Sequence, residues 1–212
     1  MKEYHKIETL YERDNVTKKL KKGKFRDGTI ESLKDIVWQF TEKVDGTNIR
    51  INWDGHRVNI GGRTDKAQIP VPLMNRLAEL FLGEANAQLF EQKFGETEVT
   101  LYGEGYGAGI QSGGNYKDTQ DFILFDVLIN DTIYLQRSDV EEVANYFNIE
   151  VVPIRFEGTL EAGVERLLTI DKISEVGKKE APLEGYVARP KIELRDRLGR
   201  RIITKIKIRD FD

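Results

Sequence analysis

The chain of 212 residues contains no cysteine and only two histidines. Without cysteine it forms neither a disulfide nor a thiolate metal site, which suits a reducing compartment. No apolar run approaches the roughly 20 residues that a membrane-spanning helix needs. The first residues also lack the apolar core of a signal peptide. These absences favour an intracellular, cytoplasmic location and no membrane partner.

The chain has little excess charge of either sign, since its formal net charge is −3. This balance excludes a protein coated in basic residues, but a local basic patch is enough to bind nucleic acid. Two basic clusters are candidates, residues 18–24 and 195–201. For each cluster the alternative is an ordinary solvated surface.

Apolar and alternating patterns predict more strands than helices, with most neighbouring strands antiparallel. The predicted strands are 37–41, 48–52, 57–60, 99–102, 121–129, 133–135, 151–156, 183–189 and 201–208. The predicted helices are 72–82, 85–94, 138–147 and 159–168. Ser138 and Glu141 have the spacing of a capping box at the start of the third helix. The glycine-rich residues 103–114 lack the spacing of a phosphate-binding loop and are predicted to form a flexible loop. The predicted fold class is α+β, with mainly antiparallel sheets and helical insertions.

The most informative residue is Lys43, which lies between the carboxylates of Glu42 and Asp45. A lysine is a poor nucleophile while protonated, and becomes a good one when it is desolvated or crowded by other cations. Lys205 and Lys207 alternate on a predicted strand, so their side chains point to the same side. The pattern predicts a site that attaches a nucleotide to a lysine.

Five segments resemble, in the same order, the motifs of the covalent nucleotidyltransferase superfamily of ATP-dependent polynucleotide ligases and mRNA capping enzymes. They read KVDG at 43–46, YGEG at 102–105, FILFDV at 122–127, EGYVAR at 184–189 and KIK at 205–207. A lone KxDG is a weak signal, whereas five motifs in order are a strong one. The pattern KxDGxN, with Asn48 as its last residue and Arg63 further along the chain, resembles the RNA ligase 2 group. The resemblance implies an ATP-grasp-like nucleotidyltransferase (adenylyltransferase) fold of the DNA/RNA ligase type.

The family usually adds a C-terminal OB-fold or helical domain after the last motif, whereas this sequence ends at residue 212. We therefore predict a single nucleotidyltransferase domain over residues 1–212, without that C-terminal domain. A protein partner that replaces the missing domain is one option that follows from this prediction.

The resemblance also implies catalytic roles. Lys43 would attack the α-phosphate of ATP and form a lysyl-AMP phosphoramidate, releasing pyrophosphate. Lys205 and Lys207 would neutralise phosphate charge in the transition state and favour the nucleophilic form of Lys43. Glu184 would bind the nucleotide through a divalent cation, Mg²⁺ with several retained waters or Mn²⁺.

Other residues would bind the nucleotide itself. Glu104 would hydrogen-bond the ribose, and Phe125 would stack on the adenine while Phe122 faces the opposite side. Arg63 and Arg189 would contact phosphate or ribose, because the guanidinium group suits oxyanions. The alternatives are a surface position for Glu104 and an ordinary core position for Phe125.

Three residues beside the nucleophile complete the predicted site. Glu42 would accept the adenine amino group, with simple solvent exposure as the alternative. Asp45 and Asn48 would shape the loop or touch the substrate ends.

The predicted function is an ATP-dependent RNA ligase that acts on RNA ends or nicked nucleic acid. It would adenylylate itself, transfer AMP to a 5′-phosphate end, and join that end to a 3′-hydroxyl. A minimal ATP-dependent DNA ligase and a GTP-using capping-type enzyme use the same scaffold and are alternatives. An alternative of another class is a non-catalytic nucleic-acid-binding module, which predicts loss of Lys43 or of the KxK lysines.

Overall fold

The computed structural model describes residues 1–177 and 180–211, which contain twelve strands and five α-helices. The strands are β1 (Tyr11–Arg13), β2 (Leu20–Phe25), β3 (Trp38–Glu42), β4 (Thr47–Trp53), β5 (Val58–Gly61), β6 (Val99–Tyr106), β7 (Asp121–Ile129), β8 (Ile133–Tyr134), β9 (Glu150–Val151), β10 (Ile154–Gly158), β11 (Gly185–Pro190) and β12 (Thr204–Lys207). The helices are α1 (Gly28–Ser32), α2 (Val71–Phe81), α3 (Glu84–Phe94), α4 (Arg137–Tyr146) and α5 (Leu160–Thr169).

The chain forms two compact units. Unit 1 contains Met1–His5 and Asp45–Val152, and unit 2 contains Lys6–Val44 and the chain from Pro153 onward. The prediction of a single nucleotidyltransferase domain stays a prediction. Among the described residues, no helix combines the length and the apolar character needed to cross a membrane.

Unit 1 is built on a mainly antiparallel sheet with the strand order β5-β4-β6-β7-β8, in which the short β9 pairs with β7 in parallel. Helices α2, α3 and α4 contribute to a core on one face of this sheet. On β4 the residues Ile49, Ile51 and Trp53 belong to this core. The polar residues between them therefore point to the other face, because side chains alternate along a strand.

Strand β6 corrects the prediction of a flexible loop at 103–114, since it continues through Tyr106. Its glycines serve close packing within the sheet. A Cβ atom at Gly103 would lie 2.2 Å from the ring of Phe122, and one at Gly105 would lie 2.4 Å from Leu73. Glycine therefore occupies these strand positions because no side chain fits between the sheet and its neighbours.

Unit 2 contains a four-stranded antiparallel sheet with the order β10-β3-β11-β12. One face carries Phe40, Tyr186, Ala188 and Ile206, which pack with helix α5 in the core. Residues 8–10, directly before β1, cover the outer edge of β12. Leu10 N donates to Lys205 O at 3.1 Å, and Lys205 N donates to Glu8 O at 3.0 Å. The two-stranded hairpin β1–β2 follows directly.

Two further sequence predictions are wrong in detail. The strand predicted at 151–156 is divided at Val152 and Pro153 into β9 of unit 1 and β10 of unit 2. The predicted capping box is absent, because α4 begins at Arg137 and Glu141 instead accepts a hydrogen bond from Arg137 at 2.6 Å. The other predicted helices and strands are found with shifts of a few residues at their ends.

Candidate active site

The eleven predicted site residues divide between the two units. Unit 2 carries Glu42, Lys43, Glu184, Arg189, Lys205 and Lys207. Unit 1 carries Asp45, Asn48, Arg63, Glu104 and Phe125. The chain crosses from unit 2 to unit 1 between Val44 and Asp45, within the KxDG motif.

Lys43 directly follows the end of β3 in unit 2. Its backbone N–H donates to Gly185 O at 3.0 Å, which fixes it against the start of β11. Its side chain is 22% exposed, and its Nζ donates to Glu184 Oε2 at 2.6 Å. The structure therefore brings the predicted nucleophile together with the predicted metal ligand.

The same carboxylate meets a second lysine. Lys207 is the cross-strand partner of Gly185, and its Nζ lies 2.5 Å from Glu184 Oε1. The geometry at Oε1 does not qualify as a hydrogen bond, so this buried oxygen has only the ionic contact. The Glu184 carboxylate thus bridges two ammonium groups.

Glycine is required beside this carboxylate. A Cβ atom at Gly185 would lie 2.0 Å from Ile206 O, on the neighbouring strand β12. The absence of a side chain at 185 lets β11 and β12 approach closely at the end that carries Glu184 and Lys207.

Lys205 and Arg189 share the sheet face of Lys207. On β12 the buried Thr204 and Ile206 alternate with the partly exposed Lys205 and Lys207, which confirms that both lysines point to one side. Val187 is the cross-strand partner of Lys205. Arg189 lies two residues beyond Val187 on β11, so its side chain points to the same face as Val187 and Lys205. It is buried there.

Glu42 points the other way. It pairs with Tyr186, a core residue, and its side chain is fully buried rather than exposed. Arg155 Nη1 donates to its Oε2 at 2.8 Å, and Glu175 N donates to the same oxygen at 3.0 Å. The hydroxyl of Ser174 donates to Oε1. Both oxygens therefore have protein partners, and a role in recognising adenine stays a prediction.

Arg155 is a residue that sequence reasoning missed. Its side chain is 7% exposed and also lies 3.7 Å from Asp171 and 3.2 Å from Glu175. Within this network, burial raises the pKa of Tyr186 and its hydrogen bond to Asp171 raises it further. Burial alone would raise the pKa of Asp171, but hydrogen bonds from Tyr186 and Arg166 and the charge of Arg155 bring it below the ordinary value.

In unit 1, Asn48 and Glu104 are direct cross-strand partners on β4 and β6. Both point away from the core, on the polar face of the sheet. Asn48 Oδ1 is buried and accepts no hydrogen bond from any described residue. An unsatisfied buried acceptor is costly unless a ligand or water meets it, so this position fits a donor from a bound molecule.

Phe125 lies at an irregularity of β7, because the register with β6 shifts there and the residue has no cross-strand partner. It packs with Tyr102, whereas Phe122 belongs to the core on the opposite face, as predicted. Tyr4 meets the Phe125 ring edge-on at a centroid distance of 5.0 Å and donates to Asp126 Oδ2 at 2.6 Å. The sequence contained no pattern that indicated this role of Tyr4.

Asp45 shapes the loop after Lys43. Its N–H donates to the hydroxyl oxygen of Tyr116 at 3.3 Å, and its Oδ2 accepts from Ser112 N at 3.3 Å. Gly46 is needed here, since a Cβ atom would lie 2.3 Å from Gly105 O. Tyr116 was not predicted, because only the folded chain brings it to Asp45.

Arg63 is exposed in the loop after β5. The buried Arg50 holds this loop, since its Nε donates to Gly62 O at 2.7 Å and its Nη2 donates to Asp65 Oδ1 at 2.9 Å. Arg50 was also missed, because its burial and its ion pair with Asp65 appear only in the folded chain.

A model of the RNA ligase family matches residues 36–207, which span all five motifs. The chain belongs to the RNA ligase family, and its nucleotidyltransferase fold is mixed α/β with mostly antiparallel sheets. The comparison with curated protein sequences found no match. The narrower RNA ligase 2 group stays a prediction.

Solved structures of Naegleria gruberi RNA ligase have the same fold. A mutant with ATP and Mn superposes with a TM-score of 0.66 at 20% identity, covering 87% of this chain and 52% of that one. A mutant with AMP and Mn gives 0.64 at 20% identity, covering 87% and 53%. Another mutant with ATP and Mn gives 0.65 at 18% identity, covering 97% and 60%. This chain therefore spans between half and two thirds of the length of these relatives.

Proposed function

We propose that this protein is an ATP-dependent RNA ligase that works through a lysyl-AMP intermediate at Lys43. The observation that carries the proposal is the cluster of Lys43, Glu184 and Lys207, whose members come from three separate motifs of a chain in the RNA ligase family. Lys43 is half-buried, its Nζ lies against a carboxylate that can accept its proton, and Lys207 adds a second cation on the same carboxylate.

In the first step, Lys43 Nζ attacks the α-phosphorus of ATP, a P–N bond forms, and the P–O bond to pyrophosphate breaks. The amine must first lose a proton, and Glu184 Oε2 is the carboxylate oxygen within hydrogen-bonding distance. Lys205 and Lys207 stabilise the negative charge that develops on the phosphate oxygens.

Glu184 also fits a divalent cation, because a carboxylate oxygen is the kind of ligand that Mg²⁺ prefers in proteins. Within residues 1–177 and 180–211, no three histidine, aspartate or glutamate side chains come together to hold a metal. A single carboxylate suits Mg²⁺, which keeps several waters and completes its coordination with substrate phosphates. When bound, Mg²⁺ or Mn²⁺ would neutralise phosphate charge, and the Naegleria gruberi enzyme with ATP and Mn supports this choice.

In the second step, a 5′-phosphate oxygen attacks the phosphorus of lysyl-AMP and releases Lys43, giving an adenylylated end. In the third step, a 3′-hydroxyl attacks that end, forms the phosphodiester and releases AMP. All three steps are in-line displacements at phosphorus, so one set of cations serves them all.

The nucleotide-binding roles of the other residues remain part of this proposal. The polar face of unit 1 supports Glu104 as a ribose contact and Asn48 as an acceptor for a ligand donor. Phe125 as the adenine platform and Arg63 and Arg189 as oxyanion contacts are proposed on the resemblance.

Incubation with α-labelled ATP, GTP and NAD, followed by a denaturing gel, tests the proposal. We expect label from ATP alone, and none with Lys43→Ala. Lys205→Ala and Lys207→Ala should each reduce labelling by about 10² to 10³-fold, the effect of losing one oxyanion contact. Lys191→Ala is the matched control, because Lys191 lies outside the five motifs and its side chain forms an exposed ion pair with Glu157.

Labelled Lys43→Ala protein would disprove the assignment of the nucleophile. Label from GTP would favour a capping-type enzyme, and no label at all would favour a non-catalytic binding module. Sealing of preadenylylated nicks with a ribose or a deoxyribose at the 3′ end then tests the substrate, because the 2′-hydroxyl distinguishes RNA from DNA. Equal rates on both sugars would favour a minimal DNA ligase.

A further inference from the structure

We propose that residues 11–26, which we name the basic hairpin, form a docking surface for the phosphate backbone of the RNA strand to be joined. The basic hairpin consists of β1, β2 and the chain that joins and follows them in unit 2. The inference rests on the proposed function and names the surface that would hold its substrate.

The position of the basic hairpin follows from strand pairing. Thr9 pairs with Lys205 in parallel, so the chain after Thr9 runs in the same direction as the chain after Lys205. That direction leads toward Lys207, which lies against Glu184. The hairpin therefore lies at the end of the unit 2 sheet where Lys43 is held.

The basic hairpin is fixed to this end of the sheet. Arg13 Nη2 forms an ion pair with Asp210 at 2.8 Å, just after β12, and Arg13 Nη1 donates to Lys18 O at 2.9 Å. The buried Tyr11 meets Phe211 edge-on. These contacts hold the hairpin in a defined place, as a docking surface requires.

The turn of the basic hairpin is also ordered. Asp14 Oδ1 accepts from the N–H groups of Val16 and Thr17, both at 2.9 Å. These hydrogen bonds, with that of Lys21, lower the pKa of Asp14 to about 2, because they stabilise its ionised carboxylate.

The charge of the basic hairpin is strongly positive in a chain whose net charge is −3, since residues 11–26 contain seven basic and only two acidic side chains. Lys21 and Lys24 form exposed ion pairs with the two acidic ones. Lys19 and Lys22 are exposed, and their ammonium groups contact no acidic side chain among the described residues. They are available to replace counterions on a nucleic-acid backbone.

The other basic cluster, residues 195–201, differs from the basic hairpin in its position on the sheet and in the pairing of its basic side chains. It lies in the connection from Pro190 to Thr204, at the opposite end of the β11–β12 pair from Glu184. Two of its arginines are held by acidic neighbours, Arg200 by Asp196 at 2.7 Å and Arg201 by Glu193 at 2.6 Å. It therefore offers a natural control for an effect of net charge alone.

The test compares the full-length double variants Lys19→Ala/Lys22→Ala and Arg195→Ala/Arg197→Ala, which lose equal charge. The affinity for a fluorescein-labelled, 5′-phosphorylated single-stranded RNA is measured by anisotropy across a salt series. Loss of two phosphate contacts should reduce the slope of log K against log [salt] by about 1.4 in the lysine variant. The arginine variant should keep the wild-type slope, and Lys19→Arg/Lys22→Arg should keep it as well.

Self-adenylylation is measured in parallel, because the reaction with ATP does not require the surface proposed to bind RNA. Unchanged labelling with a reduced salt slope supports the docking surface, whereas absent labelling in wild type contradicts the proposed function and leaves the binding comparison intact. Equal slopes in the two alanine variants, no RNA binding by wild type, or an effect confined to single-stranded DNA of the same length would overturn the inference. Urea unfolding of each variant verifies that it is folded.

Discussion

Replacement of Arg155 by alanine is expected to lower the free energy of unfolding of unit 2 by about 3 kcal/mol. Arg155 is 7% exposed and Glu42 is fully buried, so the substitution leaves a carboxylate charge without its cation. Removing one partner of a buried ion pair costs about 3–5 kcal/mol. The lower end applies because Glu42 keeps its hydrogen bonds from Ser174 and from Glu175 N.

The two tryptophans allow this loss to be assigned to one unit. Trp38 is buried in unit 2 and Trp53 is buried in unit 1. Two compact units need not unfold together, so a single transition cannot be assumed. In a Trp53→Phe background, the fluorescence of Trp38 during urea unfolding reports on unit 2 alone. In a Trp38→Phe background, the fluorescence of Trp53 reports on unit 1.

The double variant Arg155→Ala/Glu42→Gln completes a cycle with the two single variants and provides the decisive comparison. Because both charges are then absent, it should recover most of the stability that Arg155→Ala loses. Glu42→Gln alone should also destabilise unit 2, since it leaves the buried guanidinium with weaker partners. If the effects of the single variants simply add in the double variant, Arg155 and Glu42 do not act as a pair and our reading of this network is refuted.

Two further predictions concern packing and pH. Gly103→Ala should destabilise unit 1 by about 1–3 kcal/mol, measured by urea unfolding, because the new methyl group overpacks against Phe122. Gly114→Ala is the control and should be near neutral, because no atom lies closer than 3.6 Å to its new Cβ. Equal stability of the two variants would contradict the packing argument. Because the pKa of Asp171 is lowered in the folded state, its stabilising contribution is present above the unfolded pKa and is lost as the pH falls through the folded one. In Asp171→Asn, the urea midpoint of unit 2 should therefore fall less steeply than in wild type as the pH drops below about 4. The same pH dependence in both proteins would contradict this role of Asp171.

Sequence alone identified the five motifs and with them the RNA ligase family, because short motifs can be recognised without knowledge of the fold. The alternation of Lys205 and Lys207 predicted a shared face, and the structure confirms it. The buried strand of Phe122 and the hairpin between β4 and β5 were predicted for the same reason. A strand's period of two is a property of the local backbone, so it can be read from neighbouring residues.

The glycine-rich stretch and Glu42 show where local patterns fail. Whether Gly103 forms a loop or a close contact depends on Phe122, which lies on another strand. The burial of Glu42 was not predicted, because its partner Arg155 is 113 residues away in the sequence. No local pattern reports such a pair, because it is created only when β3 and β10 become neighbours.

The two basic clusters also show what the sequence predicts and what only the tertiary structure decides. Composition predicted both residues 18–24 and residues 195–201 as surface patches, with nothing to rank them. The parallel pairing of Thr9 with Lys205 directs the first cluster to the end of the sheet that holds Lys43, and the antiparallel pairing of β11 with β12 directs the second to the other end. The order and direction of strands in a sheet decide which distant segments meet, and these are set by packing of the whole chain.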